Sequence, residues 1–164
     1  MPVKKTKRAA AVHKPWPLEQ RPGYLIRRLH QIHVALFQEA CAEFDMTPLQ
    51  YSLLSALAVR GTADQTSLAA DIALDRTTTT GALKRLEARD LVERPVSDDD
   101  RRARVCRLTS AGAKMLSEIE GVARDAHRET LAPLSGAERT LFLTMMQRIV
   151  AARADQEAVA EPAD

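Results

Sequence analysis

The densest capacity for polar recognition in this chain lies in one short run, Arg76-Thr77-Thr78-Thr79-Thr80-Gly81-Ala82-Leu83-Lys84-Arg85. A guanidinium can address O6 and N7 of guanine together. A threonine hydroxyl bonds a phosphate or a base edge, and its methyl group matches the methyl of thymine. Lys84 and Arg85, further along the run, suit phosphates or water. Four consecutive β-branched residues lower helix propensity, so a run that only capped and decorated a surface helix would carry that cost for nothing. A second cationic cluster, Arg101-Arg102, follows three aspartates.

Other reactive side chains are sparse. His30 and His33 stand three apart, on one side of a helix. They can contact a ligand, pack as hydrogen-bonded core, or chelate a metal, although no cysteine or carboxylate set lies nearby to complete a site. Cys41 sits among Glu39, Ala40, Ala42 and Glu43, and acidic neighbours raise rather than lower a thiol pKa. Cys106 falls in an apolar-alternating stretch. A Gly-rich phosphate loop, a Gly-x-Ser-x-Gly elbow and a His-Glu-x-x-His pair are all missing, and the six glycines are isolated. No enzyme chemistry and no cofactor are expected.

The elements that must hold these residues can be read from capping and periodicity. Residues 1–17 combine three prolines with five bases and read as a flexible arm. From Leu18 to Phe44 the apolar residues recur at helical spacing in two stripes: Leu25, Leu29, Ile32 and Leu36, and beside them Ile26, His30, His33 and Phe37. Two stripes on one helix suit packing against a second copy as well as the helix's own domain. Thr47-Pro48-Leu49-Gln50 is a capping box with proline in the first turn, opening a helix that should stop at Gly61. Asp64 and Asp75 should cap two short helices joined by little more than Ala73-Leu74-Asp75, the helix-turn-helix pattern. Leu91–Val96 and Arg104–Thr109 read as strands around a charged loop, a hairpin with a cationic tip. Thr109 then caps a helix to about Thr130. Ser135-Gly136-Ala137-Glu138 opens a last one bearing Leu141, Phe142, Met145, Met146, Ile149 and Val150. The expected class is mainly α with a small β-wing: a winged helix-turn-helix flanked by N- and C-terminal dimerisation helices.

Composition is compatible with a nucleic-acid partner only when taken by segment. The 164 residues carry a formal charge of +2. The bases concentrate in residues 1–14 and 76–107, and the last 17 residues hold four acids against two arginines. No apolar run is long enough for a transmembrane helix, and the basic N-terminus lacks the apolar core of a secretory signal. With two cysteines 65 positions apart, the expectation is a protein of the reducing cytoplasm with no membrane partner.

Together these residues resemble a known family. LDRTTTTGALKRLEARDLVERPV and SDDDRRARVCRLTSAGAKML are similar to the capped recognition helix, Leu-Val turn, Asp-Arg-Arg wing tip and Leu-Thr-x-x-Gly exit of MarR-family winged helix-turn-helix regulators. The matching segment runs from about Met46 to Leu116. The resemblance implies a homodimeric transcriptional regulator, most often a repressor, on a pseudo-palindromic double-stranded DNA operator. DNA contacts would come from Arg76, Thr77, Thr78, Thr80, Lys84 and Arg85 in the major groove and from Arg101 and Arg102 in the minor groove. Asp100 would steady the wing by pairing with an arginine such as Arg76. The chain divides accordingly into a basic arm (1–17), a dimerisation helix (18–45), a DNA-binding lobe (46–109), C-terminal dimerisation helices (110–155) and an acidic tail (156–164). Two residues depart from the pattern. Gly81 replaces a polar or basic side chain, at about 1 kcal/mol of helix propensity, and Asp90 stands where glycine commonly ends the helix.

The family usually binds a small, often aromatic and anionic effector between the first helix, the DNA-binding lobe and the dimer helices. Five of the six aromatic residues fall within 16–51, together with Arg21, Arg27, Arg28, His30 and His33. An aromatic wall with a cationic or imidazole tip suits an aromatic carboxylate. The expected effector contacts are Trp16, Tyr24, Arg28, His30, His33 and Tyr51, with Phe37 and Phe44 left to the core. RPGYLIRRLHQIHVALF also looks like MarR-type regulators of aromatic-acid catabolism. The alternatives are redox sensing through Cys41, as some relatives do with cysteine, and a winged-helix architectural or interaction module without sequence specificity.

Overall fold

The computed structural model describes residues 16–95 and 104–160. A 3-10 turn at Leu18–Gln20 precedes α1 (Pro22–Ala40), and another at Ala42–Phe44 follows it. The single helix expected over Leu18–Phe44 is therefore broken at both ends. Arg21, held extended at φ −86°, ψ 123° before Pro22, cannot join a helix across it. At the other end Asp45 turns left-handed, with φ 46°.

The capping box at Thr47 forms as its sequence dictates, with Gln50 N bonded to Thr47 Oγ1 and Thr47 N to Gln50 Oε1. It opens α2 (Pro48–Arg60), which ends at Gly61 with φ 73°. Then follow β1 (Thr62–Asp64), α3 (Gln65–Asp71), α4 (Arg76–Ala88), β2 (Val92–Glu93), β3 (Val105–Leu108), α5 (Ser110–Thr130) and α6 (Gly136–Ala160). The sheet is antiparallel in the order β1-β3-β2. Ala63 pairs with Cys106 and Val92 with Leu108, so the buried side chains Ala63, Val92 and Cys106 meet the helices. Strand β1 was not expected: Thr-Ala-Asp has no alternating pattern and becomes a strand only because β3 is there to pair with it.

One core joins these elements. Phe37 and Cys41 of α1, Leu53, Leu54 and Leu57 of α2, Leu68 of α3, Ala82, Leu83 and Leu86 of α4, and Ile119, Ala123 and Ala126 of α5 are buried together. Burial runs out along α1: Phe37 is fully covered, His33 half-buried, and Ile26 69% exposed. On α6, Leu141, Leu143, Met145, Ile149 and Val150 also face solvent.

Candidate nucleic-acid interface and effector site

Helix α4 packs on the lobe through Ala82, Leu83 and Leu86 and is fixed by a cap at each end. At its N-terminus the Asp75 carboxylate accepts Thr78 N at 2.8 Å and the Thr78 hydroxyl at 2.7 Å. These bonds, the side-chain one foremost, hold its carboxyl below the usual range. The four threonines then divide. Thr79 is fully buried and donates its hydroxyl to Asp75 O. Thr80 donates to Arg76 O at 2.7 Å, and Thr78 serves the cap. Thr77 is exposed, and among the described residues no hydrogen bond engages its hydroxyl. Arg76, Thr77, Thr80, Gly81 and Lys84 line one open depression on the outer face of α4. Gly81 contributes no side chain to it. A Cβ there would meet only Arg85 Nη1, at 3.7 Å.

The turn before α4 spans Ile72 to Asp75. Ala73 takes φ 54°, Leu74 N bonds Ala69 O at 3.0 Å, and Ala73 N bonds Ala70 O at 3.1 Å. This pair of bonds closes α3 in the way glycine usually allows. Arg60 grips Asp71 through two bonds of 2.5 and 2.7 Å, fixing α2 against α3. At the far end of α4 the same closure recurs around Asp90 (φ 56°), with Leu91 N on Leu86 O and Asp90 N on Glu87 O. The aspartate thus does the work of the expected glycine. Arg89 donates to the Phe44 and Asp45 carbonyls at 2.8 and 2.5 Å, tying α4 to the α1–α2 junction. Thr109 donates to Asp90 O at 2.6 Å and accepts Gly112 N at 2.9 Å, tying it to α5.

A second constellation lies between α1, α2 and α5. The His33 and His127 rings stack at 4.7 Å and 25°. Phe37 meets His33 edge-on at 6.1 Å and Tyr51 at 5.6 Å. The Tyr51 hydroxyl donates to Glu120 Oε2 at 2.8 Å, while Arg124 Nε occupies Oε1 at 2.9 Å. Burial first, then the bond to Glu120, raises the Tyr51 phenol above its ordinary value. Glu120 is lowered, chiefly by Tyr51 and then by Arg124. His33 Nδ1 lies 2.9 Å from Thr130 Oγ1, which itself donates to Ala126 O. With the threonine's single proton on that carbonyl, a neutral His33 donates from Nδ1 and holds Nε2 as an acceptor. Burial, followed by His127 and His30, lowers the His33 pKa.

The family model described as MarR family matches residues 46–103. The transcriptional repressor NicR of Pseudomonas putida is 30% identical over 136 residues, covering 83% of this chain and 86% of NicR. The chain belongs to the MarR family. Its fold is that of MarR-family winged-helix regulators. Bordetella bronchiseptica BpsR, whose DNA binding is regulated by 6-hydroxynicotinic acid, superposes with a TM-score of 0.78 at 28% identity, covering 84% of this chain and 98% of BpsR. PcaV of Streptomyces coelicolor, in complex with its natural ligand, gives 0.78 at 29%, covering 85% and 99%.

In this MarR-family chain, helix α4 carries Arg76, Thr77, Thr78, Thr80, Lys84 and Arg85. Arg101, Arg102 and Asp100, with its expected pairing to Arg76, lie outside the described residues. Of the expected effector contacts, His33 and Tyr51 join one cluster through Phe37. His30 is exposed one turn from His33, and Arg28 is exposed and bonded to Gln31. Trp16 carries the Arg21 guanidinium 5.8 Å above its ring, and Tyr24 is half-buried on α1. Sequence reasoning missed Glu120, His127 and Thr130. They sit at i, i+7 and i+10 along α5, a spacing that marks one helix face and could have flagged them. Cys41 and Cys106 are fully buried, and burial pushes both thiols up, the reverse of what a thiolate sensor needs. Among the described residues, no group of three or more His, Cys, Asp or Glu could hold a metal, and no helix is long and apolar enough to cross a membrane.

Proposed function

We propose that this regulator is a homodimeric repressor that reads a pseudo-palindromic operator and is released from it by a small aromatic carboxylate. The observation that carries the DNA reading is the outer face of α4, where Arg76, Thr77, Thr80 and Lys84 surround the gap at Gly81. Arg76 and Thr77 address base edges, with Thr78 and Thr80 beside them. Lys84 and Arg85 take phosphates, and Arg101 and Arg102 enter the minor groove of an A·T-rich flank. Two copies would set α4 in successive major grooves about 10 bp apart. The exposed apolar residues at the N-terminal end of α1 and along α6 support pairing of two chains.

The effector reading is supported by the imidazole-aromatic cluster and by BpsR, which responds to a heteroaromatic acid. A ligand lodged between α1, α2 and α5 changes the angle of the lobe on its dimer helices. The Arg89 and Thr109 bonds carry that change to α4. A preference of about 1–3 kcal/mol for the altered spacing lowers operator affinity about 5–150-fold.

The test is fluorescence anisotropy on the protein's own promoter region, with salt titration and a panel of aromatic monocarboxylates. Arg76→Ala should relax base preference at one position of each half-site, costing about 1–3 kcal/mol. Lys84→Ala should weaken all sequences alike and reduce the salt slope by about one. Equal, sequence-independent retention by wild type and both variants points instead to an architectural module.

A further inference from the structure

The His33–His127 stack is a polar feature that DNA recognition does not use. Every other charged or titratable group packed against it has a partner or lies at a distance. On α5, Glu120 has both oxygens taken by Tyr51 and Arg124. On α2 the Tyr51 phenol is committed to Glu120. On α1 itself His30, one turn away, adds only positive potential when protonated. No carboxylate of the described residues is hydrogen-bonded to either imidazole. The geometry at Thr130 favours one tautomer: with that hydroxyl's proton on the Ala126 carbonyl, neutral His33 spends Nδ1–H on Thr130 and presents a lone pair at Nε2.

We propose that an aromatic carboxylate binds on the His33–His127 stack with uptake of one proton from solvent, forming the Nε2–H bond of a His33 imidazolium that pairs with the ligand anion. This rests on the reading of the protein as a regulator answering to an aromatic acid, and adds the regulation of that site by pH. Physically, a carboxylate cannot face the Nε2 lone pair of neutral His33 without repulsion. It can accept a short charge-assisted hydrogen bond once that nitrogen is protonated. In the free protein, burial first and then the neighbouring imidazoles lower the His33 pKa and so favour the neutral ring. Binding supplies the missing counter-charge and pulls the proton in. The ligand ring extends the His33–His127 stack, which Phe37 meets edge-on.

Benzoate, nicotinate, 6-hydroxynicotinate and 4-hydroxycinnamate, each with its carboxamide, serve as probes. Titration calorimetry of the full-length protein in two buffers of different ionisation enthalpy counts the protons taken up. For a carboxylate that binds, the expected count near pH 7.5 approaches one. Its affinity should rise by up to about tenfold per unit as pH falls from about 8 towards the ordinary histidine value of about 6.5. The carboxamide should take up none. His33→Gln should abolish both the uptake and the pH dependence while leaving operator binding in place. Should that variant not fold, the wild-type contrast between acid and amide decides alone.

Carboxylate binding with no proton uptake, or with uptake unchanged in a folded His33→Gln protein, overturns this proposal and leaves the aromatic-acid reading standing. Binding by no member of the panel overturns both.

Discussion

At the scale of single residues, two positions show how local chemistry sets what the protein can do. Gly81 leaves a gap in the recognition face that an alanine would fill without collision, since its Cβ would meet only Arg85 Nη1 at 3.7 Å. Gly81→Ala should therefore stabilise the fold by about 1 kcal/mol, a rise of about 2–4 °C in thermal midpoint for a chain of this size. Operator affinity measured alongside separates two roles. A fall means that the α4 backbone approaches the DNA at this position, and no change means that the glycine merely lacks a contact. His33 supplies a pH signature. Its folded-state pKa is lowered, first by burial and then by His127 and His30. The unfolded chain therefore binds a proton more readily. Stability is complete above the unfolded value of about 6.5 and is lost as pH falls from there through the folded-state value. Urea midpoints recorded across this range should decline on the acid side, and His33→Gln should flatten the decline. An unaltered slope in that variant would assign the acid sensitivity to another group.

At the scale of elements, the recognition helix is oriented as much by what grips its ends as by its own residues. Thr109 bridges the Asp90 carbonyl and the Gly112 amide, so one side chain caps α5 and binds the loop leaving α4. Gly112 itself packs so closely on β2's approach that a Cβ would overlap the Leu91 carbonyl oxygen. This is a steric reason for the last glycine in the Leu-Thr-x-x-Gly exit, and it has nothing to do with glycine's conformational freedom. Gly112→Ala should cost about 3 kcal/mol or more because backbone, not a flexible tip, must move. Thr109→Ala should cost about 0.5–2 kcal/mol through the lost cap. Chemical denaturation of the two variants gives the order directly. A tolerated alanine at 112 would mean that α5 can slide away from the 91 carbonyl.

At the scale of the whole molecule, the apolar surface is distributed for two purposes. The central core closes around Phe37, Leu53, Leu57, Leu83, Leu86 and Ile119. Leu25 and Ile26 on α1, with Leu141, Ile149 and Val150 on α6, remain exposed. Exposed apolar faces of that kind on long helices suit the pairing with a second copy proposed above. Ile149→Glu should leave the lobe folded, shift the protein towards monomer in sedimentation velocity, and weaken operator binding, because two half-sites then cease to be read by one particle. A dimer that persists in this variant would place the contact elsewhere.

The residues written into the chain determined the helix boundaries at Thr47, Gly61, Asp64, Asp75, Thr109 and Ser135, because a cap or stop is a contact between neighbours a few positions apart. They also determined the partition of apolar and polar faces, and the left-handed ending at Asp90. The Thr, Arg and Lys of 76–85 marked the face of α4 that is proposed to meet DNA, for the same local reason. Tertiary structure alone decided what depends on residues far apart in sequence. Strand β1 has no pattern of its own and exists by pairing with β3. Thr79 differs from its three threonine neighbours only in facing the core. Most of all, His33 acquires its tautomer from Thr130, 97 positions away, and its stacking partner from His127. Imidazole chemistry is set by the groups that touch the ring, and no spacing within α1 carries that information.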